Sequence, residues 1–473
     1  MFPTPYYKQL INNHLTPVIV LFTEINYFIF LFFCTVAYSS LPKKYRGWLL
    51  LVASYAFYAA FDWRFTFLLL TQTLICFFCA KYRKNTLAII LSILELAVFK
   101  YFNFFNDSFR LLFDSLHLPY LIPHLNVLLP VGISFFTFQS LGYVIDVSRG
   151  KVQQENDLPH FALFVAFFPQ LAAGPIGRAD ELLPQFNEAR LSTVQQISEG
   201  IQLIIWGLFQ KMVVADRLTS YITRAYASPK TATGGTLIVA SIFFSIQIYA
   251  DFSGYSDIAR GSAKFFGIDL RNNFNFPYFA TSIPDFWKRW HISLTSWFRD
   301  YLYIPLGGNR VSKPKWIRNQ IVVFLLSGLW HGANWTFIFW GAIHGIFNLA
   351  HAMIFGKKNQ SKSRIINIIR CTITFVIVNT AWIFFRAPTF KRAIQIIIRI
   401  MTHPARPSFG VSQNTFALNV FAIMILFGVD FAAYRGFTGE RCPDVVRIPG
   451  YAFIACLIAL LAVSSNSFIY LQF

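Results

Sequence analysis

The chain has 473 residues, of which 55% are hydrophobic, 18% aromatic and only 13% charged, roughly half the charged share of a soluble domain. Most of such a surface needs lipid as its solvent. The formal charge of +20 is dealt out in short segments between apolar runs, not gathered on one solvated face, which argues against nucleic-acid binding.

The first apolar run, 18–40, follows a single lysine, Lys8, and no small-residue cleavage site comes after it. It reads as a retained span and not as a signal peptide. Further runs at 48–61, 65–80, 86–101, 126–146, 158–173, 198–215, 235–250, 319–333, 335–355, 366–385, 415–433 and 450–466 predict an all-α polytopic integral membrane protein of about 11–13 transmembrane or re-entrant helices. Residues 1–473 read as a single membrane-embedded domain. The basic clusters at Lys43, Lys44 and Arg46, at Lys81, Arg83 and Lys84, at Arg149 and Lys151, at Arg310, Lys313, Lys315 and Arg318, and at Lys357, Lys358, Lys362 and Arg364 follow the positive-inside pattern. They predict a multi-pass protein of the cell inner membrane with its N-terminus extracytoplasmic. Between 102 and 125, Phe105, Phe109, Leu112, Phe113 and Leu116 recur at helical spacing against a polar side, as in an interfacial helix. Of six cysteines, the close pair Cys76 and Cys79 lies within an apolar run and is expected to be packed, not redox-active.

The segment 270–318 is too polar and too broken by Pro277, Pro284 and Pro305 for a simple span, yet it carries Trp287, Trp290, Trp297 and Trp316. Irregular backbone among spans is tolerated where it is buried in protein or lines a cavity. From Pro284 to Leu302 the pattern predicts one helix capped by Ser282, with His291 on its aromatic face. His291 there is either a hydrogen-bonded packing residue or part of a site. His331 closes the apolar run 321–326 and stands in Gly328-Leu-Trp-His-Gly-Ala-Asn-Trp335. A neutral imidazole in that setting is either a general base or a helix-end side chain bonded to a backbone carbonyl, and Gly328 and Gly332 leave room for a helix or a substrate chain beside it.

His344 and His351 lie seven residues apart on a helix, about 10 Å along its axis, too far to share one metal, and read as polar bundle contacts. The chain has no His-Glu-x-x-His, Walker loop, dinucleotide fingerprint or Gly-x-Ser-x-Gly elbow, so no metal and no bound cofactor are expected. Asp251 and Asp257 follow an apolar span; a shared site would need a break at Gly254, and separate structural roles are the simpler expectation.

Phe168-Pro-Gln-Leu-Ala-Ala-Gly-Pro-Ile-Gly-Arg178, Asp251-Phe-Ser-Gly-Tyr-Ser-Asp257, Phe286-Trp-Lys-Arg-Trp-His-Ile-Ser-Leu294, Phe298-Arg-Asp-Tyr-Leu-Tyr-Ile-Pro-Leu-Gly-Gly308 and Leu329-Trp-His-Gly-Ala-Asn-Trp335 resemble the signature blocks of the membrane-bound O-acyltransferase family. The closing Phe468-Ile-Tyr-Leu-Gln-Phe473 is similar to the C-terminus of its bacterial alginate O-acetylation branch. Together the blocks span about 161–473. The resemblance implies a helical bundle around a central funnel, with the histidine matching His331 catalytic and that matching His291 near it. Trp290, Trp330 and Asn334, which flank them, and Asp251 are the candidate substrate-binding residues. It also implies that an acyl group, acetyl in this branch, passes from a cytoplasmic thioester donor, acetyl-CoA or another acyl thioester, to a hydroxyl of an extracytoplasmic glycan or to a relay partner of the SGNH-hydrolase type. A secondary transporter or glycan exporter is the competing reading, since intramembrane charges such as Glu24, Glu95 and Asp251 suit it too.

The topology makes a direct prediction: cysteines introduced in the loops at Lys43–Arg46 and Lys81–Lys84 should resist membrane-impermeant thiol reagents in intact cells and react after permeabilisation. Labelling of both loops from outside would reverse the orientation.

Overall fold

The computed structural model describes residues 22–172, 174–356, 363–408, 410–437 and 442–463. The block Phe468–Phe473, the basic residues Lys357, Lys358 and Lys362, and the first residues of the 18–40 run lie outside them. Among the described residues all regular structure is helical. The first half runs α1 (Ile25–Ser40), α2 (Lys43–Ala59), α3 (Trp63–Lys81), α4 (Asn85–Ser115), α5 (Ile133–Ser148), α6 (Leu158–Ala166), α7 (Ala179–Glu188) and α8 (Val194–Ala227). There follow α9 (Gly234–Lys264), α10 (Ile283–Arg289), α11 (Ile292–Phe298), α12 (Lys313–His331), α13 (Trp335–Phe355), α14 (Arg364–Arg386), α15 (Phe390–Thr402), α16 (Gln413–Tyr434) and α17 (Asp444–Leu461). Eight of the described helices are long and apolar enough to cross a bilayer, and α1 is a shorter apolar one.

Local signals start many of these helices. Asp62 accepts from Arg64 N at α3, Thr193 and Gln196 form a capping box at α8, Thr233 caps α9 and Ser412 caps α16. Several boundaries differ from the sequence expectation, three of them near the site or its frame. The run 126–146 becomes helical only from Ile133, because Gly132 adopts φ 72° before it. The amphipathic stretch at 102–115 is not a separate helix; it continues α4 through a π turn at Ala97–Tyr101. The run 235–250 extends unbroken to Lys264, so that α9 has 31 residues, about 46 Å at 1.5 Å each.

Gly254 therefore makes no break in α9. Its role is packing: a Cβ there would lie 2.7 Å from the Gly207 carbonyl oxygen, and one at Gly207 would lie 2.6 Å from the Gly254 oxygen. Gly200 and Gly261 face each other in the same way, at 2.8 and 2.6 Å. The two pairs, spaced seven residues apart on both helices, set α8 and α9 antiparallel with backbones in contact. At this seam Lys211 Nζ reaches Asp216 Oδ1 at 2.6 Å and Asp251 Oδ1 at 2.7 Å, all three side chains being buried. Removing one partner of such a cluster leaves uncompensated buried charge. Asp257 is held apart from it by Arg260 and Gln210, so the two aspartates have different partners and do not share a site.

The hairpin α12–α13 uses the same device. A Cβ at Gly328 would meet the Phe337 carbonyl oxygen at 2.2 Å, and one at Gly341 the Phe324 oxygen at 2.2 Å. The room left by Gly328 is thus occupied by a helix.

Gly254→Ala and Gly207→Ala should each cost about 1–3 kcal/mol by overpacking, seen as a lower thermal midpoint of the purified protein in detergent. Gly428→Ala, where an added Cβ meets nothing within 4 Å, should cost nothing. Equal midpoints for all three variants would remove the glycine seam as a source of stability.

Candidate active site

The helix expected over 284–302 is two helices with a break at Trp290–His291. His291 itself adopts the left-handed conformation, φ 43° and ψ 55°, and stands as the N-cap of α11. A β-carbon residue there is strained by about 1–2 kcal/mol, and strain of this kind persists where the surroundings over-determine it. They do so here. Asn275 N donates to Arg289 O at 2.9 Å and Ile292 N donates to Asn273 O at 2.9 Å, so the segment 273–275 pairs with the backbone on both sides of the break. The buried Asn273 side chain accepts from Ser293 Oγ at 2.7 Å and donates to Ser256 Oγ on α9 at 3.1 Å. Ser293 Oγ in turn accepts from Ile176 N at 3.1 Å, and Arg178 pairs with Asp300 at 2.9 Å. The sequence blocks around 168–178, 251–257 and 286–294 thereby meet in one place.

The break swings the imidazole of His291 towards that of His331, with ring centroids 6.4 Å apart. His331 is the last residue of α12. Both rings are buried in aromatic surroundings: Phe252 lies edge-on to His291 at 4.6 Å and Trp330 at 5.9 Å, while Trp340 at 5.0 Å and Phe385 at 5.5 Å enclose His331. Trp290 does not face the histidine pair in the same manner; it stacks on Phe286 at 5.4 Å and packs on Trp382 at 5.1 Å, forming the wall behind it.

The remaining candidates separate. Trp330 bridges the two histidines, 5.9 Å from one ring and 5.0 Å from the other. Asn334 caps α13 by accepting from Thr336 N and donates to Pro388 O. Asp251 is engaged by Lys211, although its neighbour Phe252 packs on His291. His344, expected as a polar bundle contact, sits among rings instead, 5.0 Å from Trp287 and 4.9 Å from Trp340, and neither of its nitrogens meets a hydrogen-bond partner among the described residues.

Sequence reasoning missed Lys100. In the π turn of α4 its Nζ donates to the Trp330 carbonyl at 2.7 Å and to Ser134 Oγ at 3.0 Å, and lies 5.6 Å from the centroid of the Trp330 ring. The signal was present, because a lysine within the apolar run 86–101 is costly in lipid.

A cleft of about 420 Å³ opens between α10, α11, the π turn Arg299–Tyr303 and α12. Lys288, Arg299 and Gln320 give it polar sides, Leu294 and Phe324 an apolar floor, and Ser327 lines it one helical turn before His331. The arrangement sets two imidazoles in an aromatic enclosure suited to proton transfer, with the cleft beside it on the Ser327 side of α12.

The chain is similar to proteins of known name. The chain is 41% identical over 406 residues to the probable alginate O-acetylase AlgI of Pseudomonas aeruginosa, covering 82% of this chain and 75% of that protein. It is 36% identical over 407 residues to the peptidoglycan O-acetyltransferase of Helicobacter pylori, covering 77% and 75%. With the teichoic acid D-alanyltransferase of Bacillus subtilis it shares 29% identity over 290 residues, 58% of this chain and 72% of the relative. All three are named for acyl transfer and none for transport. Since the sequence profile described as the membrane-bound O-acyltransferase family also matches residues 47–390, across the break, both histidines and the cleft, the chain is an O-acyltransferase belonging to that family.

Proposed function

We propose that the protein moves an acetyl group from a cytoplasmic thioester to a hydroxyl of an extracytoplasmic polysaccharide or of a relay partner, with His331 as the general base. The observation that carries this reading is the pair of buried imidazoles brought together by the break at His291. His331 takes the proton of the acceptor hydroxyl as its oxygen attacks the thioester carbon; the C–O bond forms, the C–S bond breaks, and the thiolate leaves and is protonated. His291 positions a reactant against that base, and the aromatic walls exclude competing water. The acetyl assignment and the glycan acceptor follow the alginate and peptidoglycan O-acetylating relatives.

Geometry also supports the direction of transfer. His331 lies 18 residues beyond Lys313 on α12, about 27 Å along the helix, and hydrocarbon is about 30 Å thick. With the basic end of α12 cytoplasmic, His331 stands near the opposite side, within reach of an extracytoplasmic hydroxyl. The cleft lies along the intervening length, and its Lys288 and Arg299 suit the phosphates of acetyl-CoA or of a carrier-borne thioester. An extracytoplasmic protein of the SGNH-hydrolase type is the proposed relay to the polymer.

The test is acetyl transfer from a radiolabelled acetyl thioester to a glycan acceptor, normalised to folded protein. His331→Gln should lower transfer by about 10²–10⁴ with little change in protein yield. His291→Asn, whose side chain tolerates the left-handed backbone, should keep the fold, lower transfer, and be partly rescued by excess donor or acceptor. Near-normal transfer by His331→Gln would remove the proposed base.

A further inference from the structure

Lys100 is an expensive residue in its position, and the packing explains where its charge goes. Among the described residues its ammonium group has no carboxylate partner; its acceptors are the Trp330 carbonyl and Ser134 Oγ. Trp330 precedes His331 at the end of α12, where the helix stops, and its carbonyl belongs to the last turn, whose oxygens lack intrahelical partners. The amide four residues on, that of Asn334, donates instead to Gly332 O at 2.9 Å. Lys100 takes the orphaned carbonyl at the negative end of the helix, where a cation is favoured. The π turn Ala97–Tyr101 lies in this stretch of α4, and such turns commonly mark functional positions. Ser134 extends the connection, since its neighbour Phe135 packs on both Trp330, at 5.4 Å, and His291, at 6.3 Å. One side chain therefore joins α4, α5 and the terminal turn of α12 directly behind the histidine pair.

We infer that Lys100 is a positioning residue for acyl transfer: by capping the Trp330 carbonyl it fixes the turn that carries His331 and holds that imidazole in register with His291. The inference rests on the reading of His331 as the base. It requires that Lys100 contribute to turnover through His331, and little to donor binding or to overall folding.

The experiment is a double-mutant cycle on the purified full-length protein, using transfer from a radiolabelled acetyl thioester to a glycan acceptor. Lys100→Met should lower kcat about ten- to a hundredfold, the usual consequence of misplacing a catalytic group by about 1 Å, with the donor KM and the thermal midpoint little changed. Lys100→Arg, which keeps a cationic donor, should recover part of the rate. In the background of His331→Gln, Lys100→Met should cost no further activity, because groups acting as one unit are non-additive. A normal kcat for Lys100→Met overturns the inference, as does an equal further loss in the His331→Gln background. If Lys100→Met folds poorly, the same cycle run with Lys100→Gln, which retains an amide donor, decides on the same criteria. Full activity of His331→Gln is a separate outcome: it removes the base and with it this role for Lys100, whereas an inactive His331→Gln beside a fully active Lys100→Met removes the positioning role alone.

Discussion

The site depends on a short stretch of backbone pairing. Inside a membrane protein every peptide group needs an internal partner, so a helix can be interrupted only where something else takes up the freed donors and acceptors. Residues 273–275 do this for the interruption at Trp290–His291, accepting from Ile292 N and donating to Arg289 O. Without that pairing, α10 and α11 would merge and His291 would lie along one side of a continuous helix. With it, the imidazole projects from the corner towards His331. The strain of the left-handed residue is small beside the hydrogen bonds and aromatic packing that impose it.

The surrounding frame is built for rigidity. Paired glycines bring α8 to α9 and α12 to α13 at backbone contact, which leaves no lubricating layer of side chains between them. Charges near these seams are internally matched: Lys211 is held between Asp216 and Asp251, and Lys100 is spent on a helix terminus. Both lysines occupy π turns, Lys100 in Ala97–Tyr101 and Lys211 in Phe209–Ala215, where the widened helix changes the direction in which a side chain leaves it. The aromatic rings then fill the interior around the histidines.

Much of the helical layout was legible because long apolar runs between basic clusters have few alternatives to spanning helices. The place of His331 at a helix end was legible too, since an imidazole between glycines at the end of such a run is conspicuous. The break at His291 was not. Nothing between Pro284 and Leu302 forbids a helix, and the interruption is imposed by Asn273 and Asn275, fifteen or more residues away in the chain. Gly254 left a break open as the less simple expectation, because spacing alone cannot tell a flexible glycine from one that admits a neighbouring backbone. The partner of Asp251, Lys211, stands forty positions earlier, and spacing gave no sign of the pair. His344 was expected to hydrogen-bond and instead packs against tryptophans, a difference that only three-dimensional neighbours reveal.

The connections within the frame have a kinetic consequence. Helices α8 and α9 are joined through 228–233 and α12 and α13 through 332–334, and the pairing of 273–275 with 289–292 closes a loop of fewer than twenty residues. Contacts between near neighbours in sequence form fast because little chain entropy is lost in closing them. As the chain is synthesised, both glycine seams and the corner at His291 can assemble from segments that emerge consecutively. The contact from Lys100 to Trp330 joins segments that emerge far apart and closes later. The scaffold is thus assembled from consecutive segments, while the support that Lys100 gives to the turn before His331 waits for the second half of the chain.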